Sequence, residues 1–270
     1  MKNLNPIEFI KSLQSILDGN ADFPENMRDN PVLQVMLRRR SVRKFEDKPI
    51  PEEVFQVIIE AARLAPSAVN LQTWSFGVFD RGSWRTKFGK NIPFNAQRAV
   101  IILGDAYRMR QALEEFPFKP LVEYTLAVMN AGIASYAMNI AAESCGVSSV
   151  MLSETGQTGF YDAKHLKEKL ELPDGVFPVM TIVFGYPKSR PQAMPPKLPK
   201  EEIIFTDTYN EPNNQVIDDW LKQMMAGYRA TKLTTGFKGQ LKRYLSKADE
   251  AEKGLNELIF HKPEEFKKKL

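Results

Sequence analysis

The chain has 270 residues, 43% hydrophobic and 26% charged, with a net charge of +4. That length allows one large domain or two small ones, and so slight a positive excess argues against a nucleic-acid-binding face. A single cysteine, Cys145, excludes a disulfide within these residues, and two distant histidines, His165 and His261, disfavour zinc chemistry and a His-dependent triad.

Met1 to Phe9 is polar, broken by Pro6, and reads as no signal peptide; with the lone cysteine this gives a cytoplasmic expectation. Ile7, Ile10, Leu13, Ile16 and Leu17 share one helical stripe, which Asp18-Gly19-Asn20 ends. A short helix from Pro31 to about Arg38 follows a polar loop, and Pro51-Glu52-Glu53 opens another, carrying apolar residues from Val54 to Leu64 until Pro66 stops it. Trp74 to Phe79 and Ala99 to Leu103 read as strands, the second too apolar for an edge, with a short helix over Gly82 to Phe88 between them.

Leu121 to Ser144 is a long helix, apolar nearly all round and therefore in need of cover on every side. Within it Asn130, Ser135 and Asn139 make a membrane span a poor reading and a buried helix a good one. Val147 to Leu152 and Val179 to Phe184 are further buried strands, joined through a helix around Ala163 to Leu170 that leaves His165 as a solvated helix residue. Five prolines between Pro187 and Pro199 make an extended arm. Ile203-Ile204-Phe205 suits one strand added to a sheet, and Gln215 to Leu270 is helical and lysine-rich.

Two runs carry chemistry. Arg39-Arg40-Ser41-Val42-Arg43 puts three cations and a hydroxyl within five residues. Guanidinium forks match phosphate oxygens bidentately, so the run suits a dianionic phosphate, although on composition alone a solvated helix end is the better fit. Ala65-Pro66-Ser67-Ala68-Val69-Asn70-Leu71-Gln72 ends a helix in a turn rich in short hydrogen-bonding side chains, which suits the polar edge of a flat heterocycle. One amphipathic helix lies between the runs, so both are expected to face one ligand. No G-x-G-x-x-G follows a strand, which favours a mononucleotide over a dinucleotide flavin.

These runs, with Asn130-Ala131-Gly132-Ile133-Ala134, Ile140 to Val147, Leu172-Pro173-Asp174-Gly175, Phe184-Gly185-Tyr186-Pro187 and Pro196-Lys197-Leu198-Pro199, resemble the FMN-dependent nitroreductase family over residues 31 to 205. The helical tail resembles that of its larger branch, which includes flavin reductases. The resemblance implies an α+β fold, a central mixed, mostly antiparallel sheet flanked by helices, in a domain-swapped homodimer. It divides the chain into an N-terminal helical extension over 1–30, an FMN-binding core with swap arm over 31–205, and a C-terminal extension over 206–270. It further implies FMN as cofactor, NADPH or NADH as reductant, and a small-molecule acceptor such as a nitroaromatic, quinone or flavin, reduced by ping-pong hydride transfer. Reductive dehalogenation, flavin fragmentation and non-catalytic flavin binding are the alternatives.

Carried over by position, Arg39, Arg40, Ser41 and Arg43, with Lys197, hold the phosphate and nearby ring edge. Pro66, Ser67, Ala68 and Asn70 line the isoalloxazine, Asn91 meets its pyrimidine edge, and Asn130 is either a cofactor contact or a helix–helix hydrogen bond. Arg229 and Lys232 border the nicotinamide pocket, which favours NADPH. Two departures stand out. Leu152 is followed by Ser153-Glu154 where the larger branch has paired glycines; a backbone N–H there still suits flavin N5, while Glu154 narrows the pocket or repels anions. Pro195 stands where a second cation is usual, a loss that Lys200 or Arg190 would have to replace.

Overall fold

Strand β2 (Arg98–Asp105) is apolar on both faces, and the structure places it where such a strand belongs, inside a sheet. The structure is a computed structural model that describes residues 30–114, 119–153, 158–191, 194–230 and 236–260; the helix expected over residues 6–17 lies outside them. Strands β1 (Trp74–Asp80), β3 (Ser148–Leu152) and β4 (Val176–Gly185) complete a sheet of order β1-β2-β4-β3, every neighbouring pair antiparallel. A parallel bridge from Ser41 to Ser149 extends the β3 edge. The register between β2 and β4 slips between Ile102 and Leu103, beside Pro178. Proline cannot donate to a ladder, so a bulge there is the expected accommodation.

Alternation along β2 separates two cores. Val100 and Ile102 pack with Phe55, Ile58 and Ala62 of helix α2 (Glu52–Arg63) and with Ala131, Ala134, Met138 and Ala142 of the long helix, here α5 (Pro120–Ser144). Ala99, Ile101 and Leu103 pack on the other face with Trp84 of α3 (Arg81–Phe88) and Leu166 of α6 (Ala163–Leu170). Helix α5 crosses β2 closely: a Cβ on Gly104 would lie 3.1 Å from the Ala127 Cβ. At its first turns Glu123, 1% exposed, is ion-paired with Arg110 of helix α4 (Tyr107–Ala112). The α5 face away from the sheet leaves Leu121, Val122, Met129, Ile133 and Tyr136 exposed, so the described residues cover one side of an apolar helix and not the other.

The described residues form two compact units. One comprises Arg38–Arg190 with Ala248–Leu270, so helix α9 (Ala248–Phe260) groups with the sheet: its Leu258 and Ile259 are buried with Ala163 and Phe177. The described residues of the other fall within 30–37 and 191–247, containing nearly all of α1 (Pro31–Arg38), the proline arm, α7 (Asn214–Ala230) and α8 (Gly236–Leu245). There the Trp220 Nε1–H donates to the Pro196 carbonyl at 3.2 Å, tying α7 to the arm. Ile203, Ile204 and Phe205 follow a short 3-10 turn at Lys200–Glu202, pair with no strand among the described residues, and are all exposed.

Candidate functional site

The arginine run leaves α1 as an extended segment pinned to the β3 edge. The Val42 N–H donates to the Ser149 carbonyl at 3.2 Å and the Val42 side chain is fully buried. Ser149 is itself held from α5, where Asn139 Nδ2–H donates to its hydroxyl at 2.5 Å. With Val42 as the plug, the cations are left around it: Arg39, Arg40 and Ser41 half-buried and Arg43 exposed. Arg40 Nη1–H donates to the Arg39 carbonyl at 2.8 Å, and Arg43 Nη1–H reaches the Ser41 carbonyl at 3.4 Å. Neither Arg39 nor Arg43 is ion-paired among the described residues. The Arg40 guanidinium is held below its ordinary pKa by burial and by repulsion from Arg39, with Glu143 pulling the other way. Two cations, Arg39 and Arg43, with no ion pair among the described residues are an arrangement that a phosphate dianion would relieve.

Arg190 is placed differently. It is ion-paired with Glu143, whose side chain is 7% exposed in the last turn of α5. A carboxylate at the negative end of a helix is unfavourable alone, so Arg190 is spent on neutralising it. The sequence reading had no signal for this pairing, because the partners lie 47 positions apart.

The second run is a strained loop between α2 and β1. Val69, Asn70 and Gln72 have φ of 50°, 56° and 48°, in the left-handed region. Each such residue costs on the order of 1–2 kcal/mol unless it is glycine, and a β-branched side chain suffers most. Val69 is also 91% exposed, so packing gives nothing back. Inside the loop, the Gln72 N–H donates to Ser67 Oγ at 3.0 Å and the Asn70 N–H to the Ser67 carbonyl at 3.0 Å. Asn130, buried on α5, accepts the Ala68 N–H on its Oδ1 at 3.2 Å and donates from Nδ2 to Thr73 Oγ1 at 2.8 Å. Both ends of its amide are thus engaged by the loop, in place of the helix–helix bond that was one of the two sequence alternatives. Pro66 and Asn70 are exposed, and Ser67 and Ala68 half-buried.

The two runs sit at opposite ends of β2 rather than side by side. Ser41 is bridged to Ser149, which pairs through Phe184 with Arg98 at the start of β2. The loop joins at the other end, where the Asp105 N–H donates to the Thr73 carbonyl at 3.0 Å. The intervening strand is roughly 24 Å long at 3.4 Å per residue, and Asn130 and Asn139 are roughly 13 Å apart along α5 at 1.5 Å per residue. The amphipathic helix between the runs therefore does not turn both onto one rim.

The remaining candidates are scattered. Asn91 is exposed on the loop after α3, its Oδ1 accepting from Arg85 Nη2–H at 2.7 Å. Leu152 is buried at the end of β3 and Ser153 half-buried after it; Glu154 lies outside the described residues. Lys197 is exposed in the other unit. Arg229 lies on α7, with only its backbone described, and Lys232 falls outside the described residues. Among the described residues no group of three or more His, Cys, Asp or Glu is placed to hold a metal, and no helix is long and apolar enough to cross a membrane.

Comparison with known proteins bears on the family and the fold. The model of the nitroreductase family matches residues 36–98 and 85–186. The chain is 31% identical over 191 residues to FMN reductase [NAD(P)H] of Bacillus subtilis, covering 67% of this chain and 75% of that protein. It is 26% identical over 238 residues to an NADPH-dependent oxidoreductase of Staphylococcus epidermidis, covering 80% and 91%. Its fold matches the structure of NADPH:FMN oxidoreductase from Vibrio harveyi complexed with NAD+, with TM-score 0.68 and 24% identity over 84% of this chain and 97% of that one.

Proposed function

The chain belongs to the nitroreductase family, and from that premise we propose that it is an FMN-dependent NAD(P)H oxidoreductase that reduces flavins, nitroaromatics or quinones. The observation that carries this reading is the run Arg39 to Arg43: three guanidiniums around a pinned backbone, two of them without an ion-pair partner among the described residues. Relatives whose names include FMN reductase and NADPH-flavin oxidoreductase support FMN as the cofactor and NAD(P)H as the donor.

Bound FMN would supply the hydride chemistry, taking electrons from the nicotinamide and passing them to the acceptor in a ping-pong cycle. The protein's part is position and charge. Arg39, Arg40 and Ser41 hold the phosphate. Arg43, exposed beside them, brings a cation to the nearby ring edge, where negative charge develops on reduction. Ser67 and Asn70 hold the ring from a loop whose backbone is fixed from below by α5. Asn91 and the Leu152-Ser153-Glu154 turn are proposed ring neighbours, Lys197 a further phosphate cation, and Arg229 and Lys232 contacts that favour NADPH.

A C2 homodimer completes the site in this reading. The exposed α5 stripe of Val122, Met129, Ile133 and Tyr136 is the apolar face that a second copy would cover. The separation of the two runs along β2 supports a flavin lined by the arginine run of one chain and the strained loop of its partner. Exposed Ile203, Ile204 and Phe205 suit a strand added to the partner's sheet. Steady-state NADPH oxidation with free FMN, a nitroaromatic and a quinone tests the activity: turnover with at least one acceptor is expected, and none with any of the three removes the enzymatic reading.

A further inference from the structure

The loop from Ser67 to Thr73 holds three non-glycine residues at positive φ, one of them the β-branched and exposed Val69. Such a backbone persists only where its surroundings over-determine it. Local bonds through Ser67 close the turn on itself, yet they do not fix it to the rest of the fold. Its end is joined to β2 by the Asp105 N–H on the Thr73 carbonyl, and among the described residues the side chain that ties both ends of the turn to α5 is Asn130. Asn130 is 2% exposed and offers one acceptor and one donor on a rigid plane. The acceptor takes the Ala68 N–H near the loop's start, 62 residues away in sequence, and the donor reaches Thr73 Oγ1 at its end, 57 residues away. Leucine has the same shape and neither function; aspartate has no amide donor to give.

We propose that Asn130 is a positioning residue that staples both ends of this strained loop to α5 and so sets the direction in which Ser67 and Asn70 face the flavin ring. The inference rests on the reading that this loop meets FMN. It assigns Asn130 no contact with the flavin itself. It also accounts for the Asn130 amide in a mostly apolar helix, since a buried amide is tolerated where both of its ends are satisfied.

The test pairs Asn130→Leu, which removes both bonds, with Thr73→Val, which removes one at almost constant shape. Amide hydrogen exchange is measured for residues 66–73 and, as an internal reference, for β2. Affinity is measured for FMN and for riboflavin, which has the ring without the phosphate. The expected result is exchange in the loop faster by tenfold or more in Asn130→Leu with β2 unchanged, an intermediate increase in Thr73→Val, and affinity for both ligands lower by about tenfold in Asn130→Leu. If Asn130→Leu does not give a folded protein, the Thr73→Val loop exchange and affinities decide alone. Unchanged loop exchange, or loop and β2 accelerating together, overturns the staple. Faster loop exchange with both affinities unchanged also overturns the proposal, and then locates the error in the reading of the loop as a flavin contact.

Discussion

Replacing Arg39 and Arg43 together by alanine should remove most FMN affinity while leaving the fold nearly untouched. The magnitude follows from how each cation is placed. Neither side chain is ion-paired among the described residues, so its loss leaves no buried carboxylate uncompensated. The cost then falls on the ligand. A hydrogen bond to a charged group contributes roughly 1.5–3 kcal/mol, so two guanidiniums give about 3–6 kcal/mol. At tenfold per 1.4 kcal/mol this weakens FMN binding by about 10²–10⁴. Riboflavin lacks the phosphate and would meet only Arg43 at the ring edge, so its affinity should fall by the smaller factor of about 10–10². Apo-protein titrated with each flavin, with flavin fluorescence as the readout, measures both. Full FMN affinity in the double variant, or an equal loss for riboflavin, would refute the phosphate assignment.

Other expectations concern the frame around the site. Arg110→Met leaves Glu123, 1% exposed, buried without its cation, which should cost about 3–5 kcal/mol in urea unfolding; a loss below about 1 kcal/mol would show that the pair does not support the start of α5. Met129→Glu with Ile133→Glu places charge on the exposed α5 stripe and should give a monomer in sedimentation that has also lost its flavin, whereas an FMN-loaded dimer would remove that stripe from the interface. Asp80 caps α3, accepting the Ser83 N–H at 2.7 Å, and Asp80→Ala should cost about 1 kcal/mol. That backbone bond, first among the causes, holds the Asp80 carboxyl below the ordinary 3.8. Its contribution is therefore full above about that pH and fades as pH falls through the lower folded value, so wild type and variant should converge in acid.

The elements were legible from sequence because their signals are local. Six consecutive apolar or small residues in β2, Ala99 to Gly104, and the near-uniform apolarity of α5, each require burial whatever surrounds them. Composition likewise isolated the arginine run, since three guanidiniums in five residues have few uses. What sequence left open was register. That Ser41 lies level with Arg98, while Thr73 meets Asp105, depends on how four strands align, and no window of neighbouring residues holds that information. For the same reason Asn130 stood out as a polar residue in an apolar helix without revealing its partners, and Arg190 looked like a spare phosphate cation until Glu143 was found beside it. The grouping of α9 with the sheet follows from Leu258 and Ile259 meeting Phe177, a contact across more than eighty positions.

Anaerobic mixing of the FMN-loaded protein with NADPH, followed by a separate addition of acceptor, tests the central claim most directly. NADPH alone should bleach the bound flavin within the turnover time, faster than NADH does, and free FMN or a quinone should then restore its colour with no further donor present. A flavin that stays oxidised under NADPH and NADH alike, in protein shown to carry FMN, would contradict it.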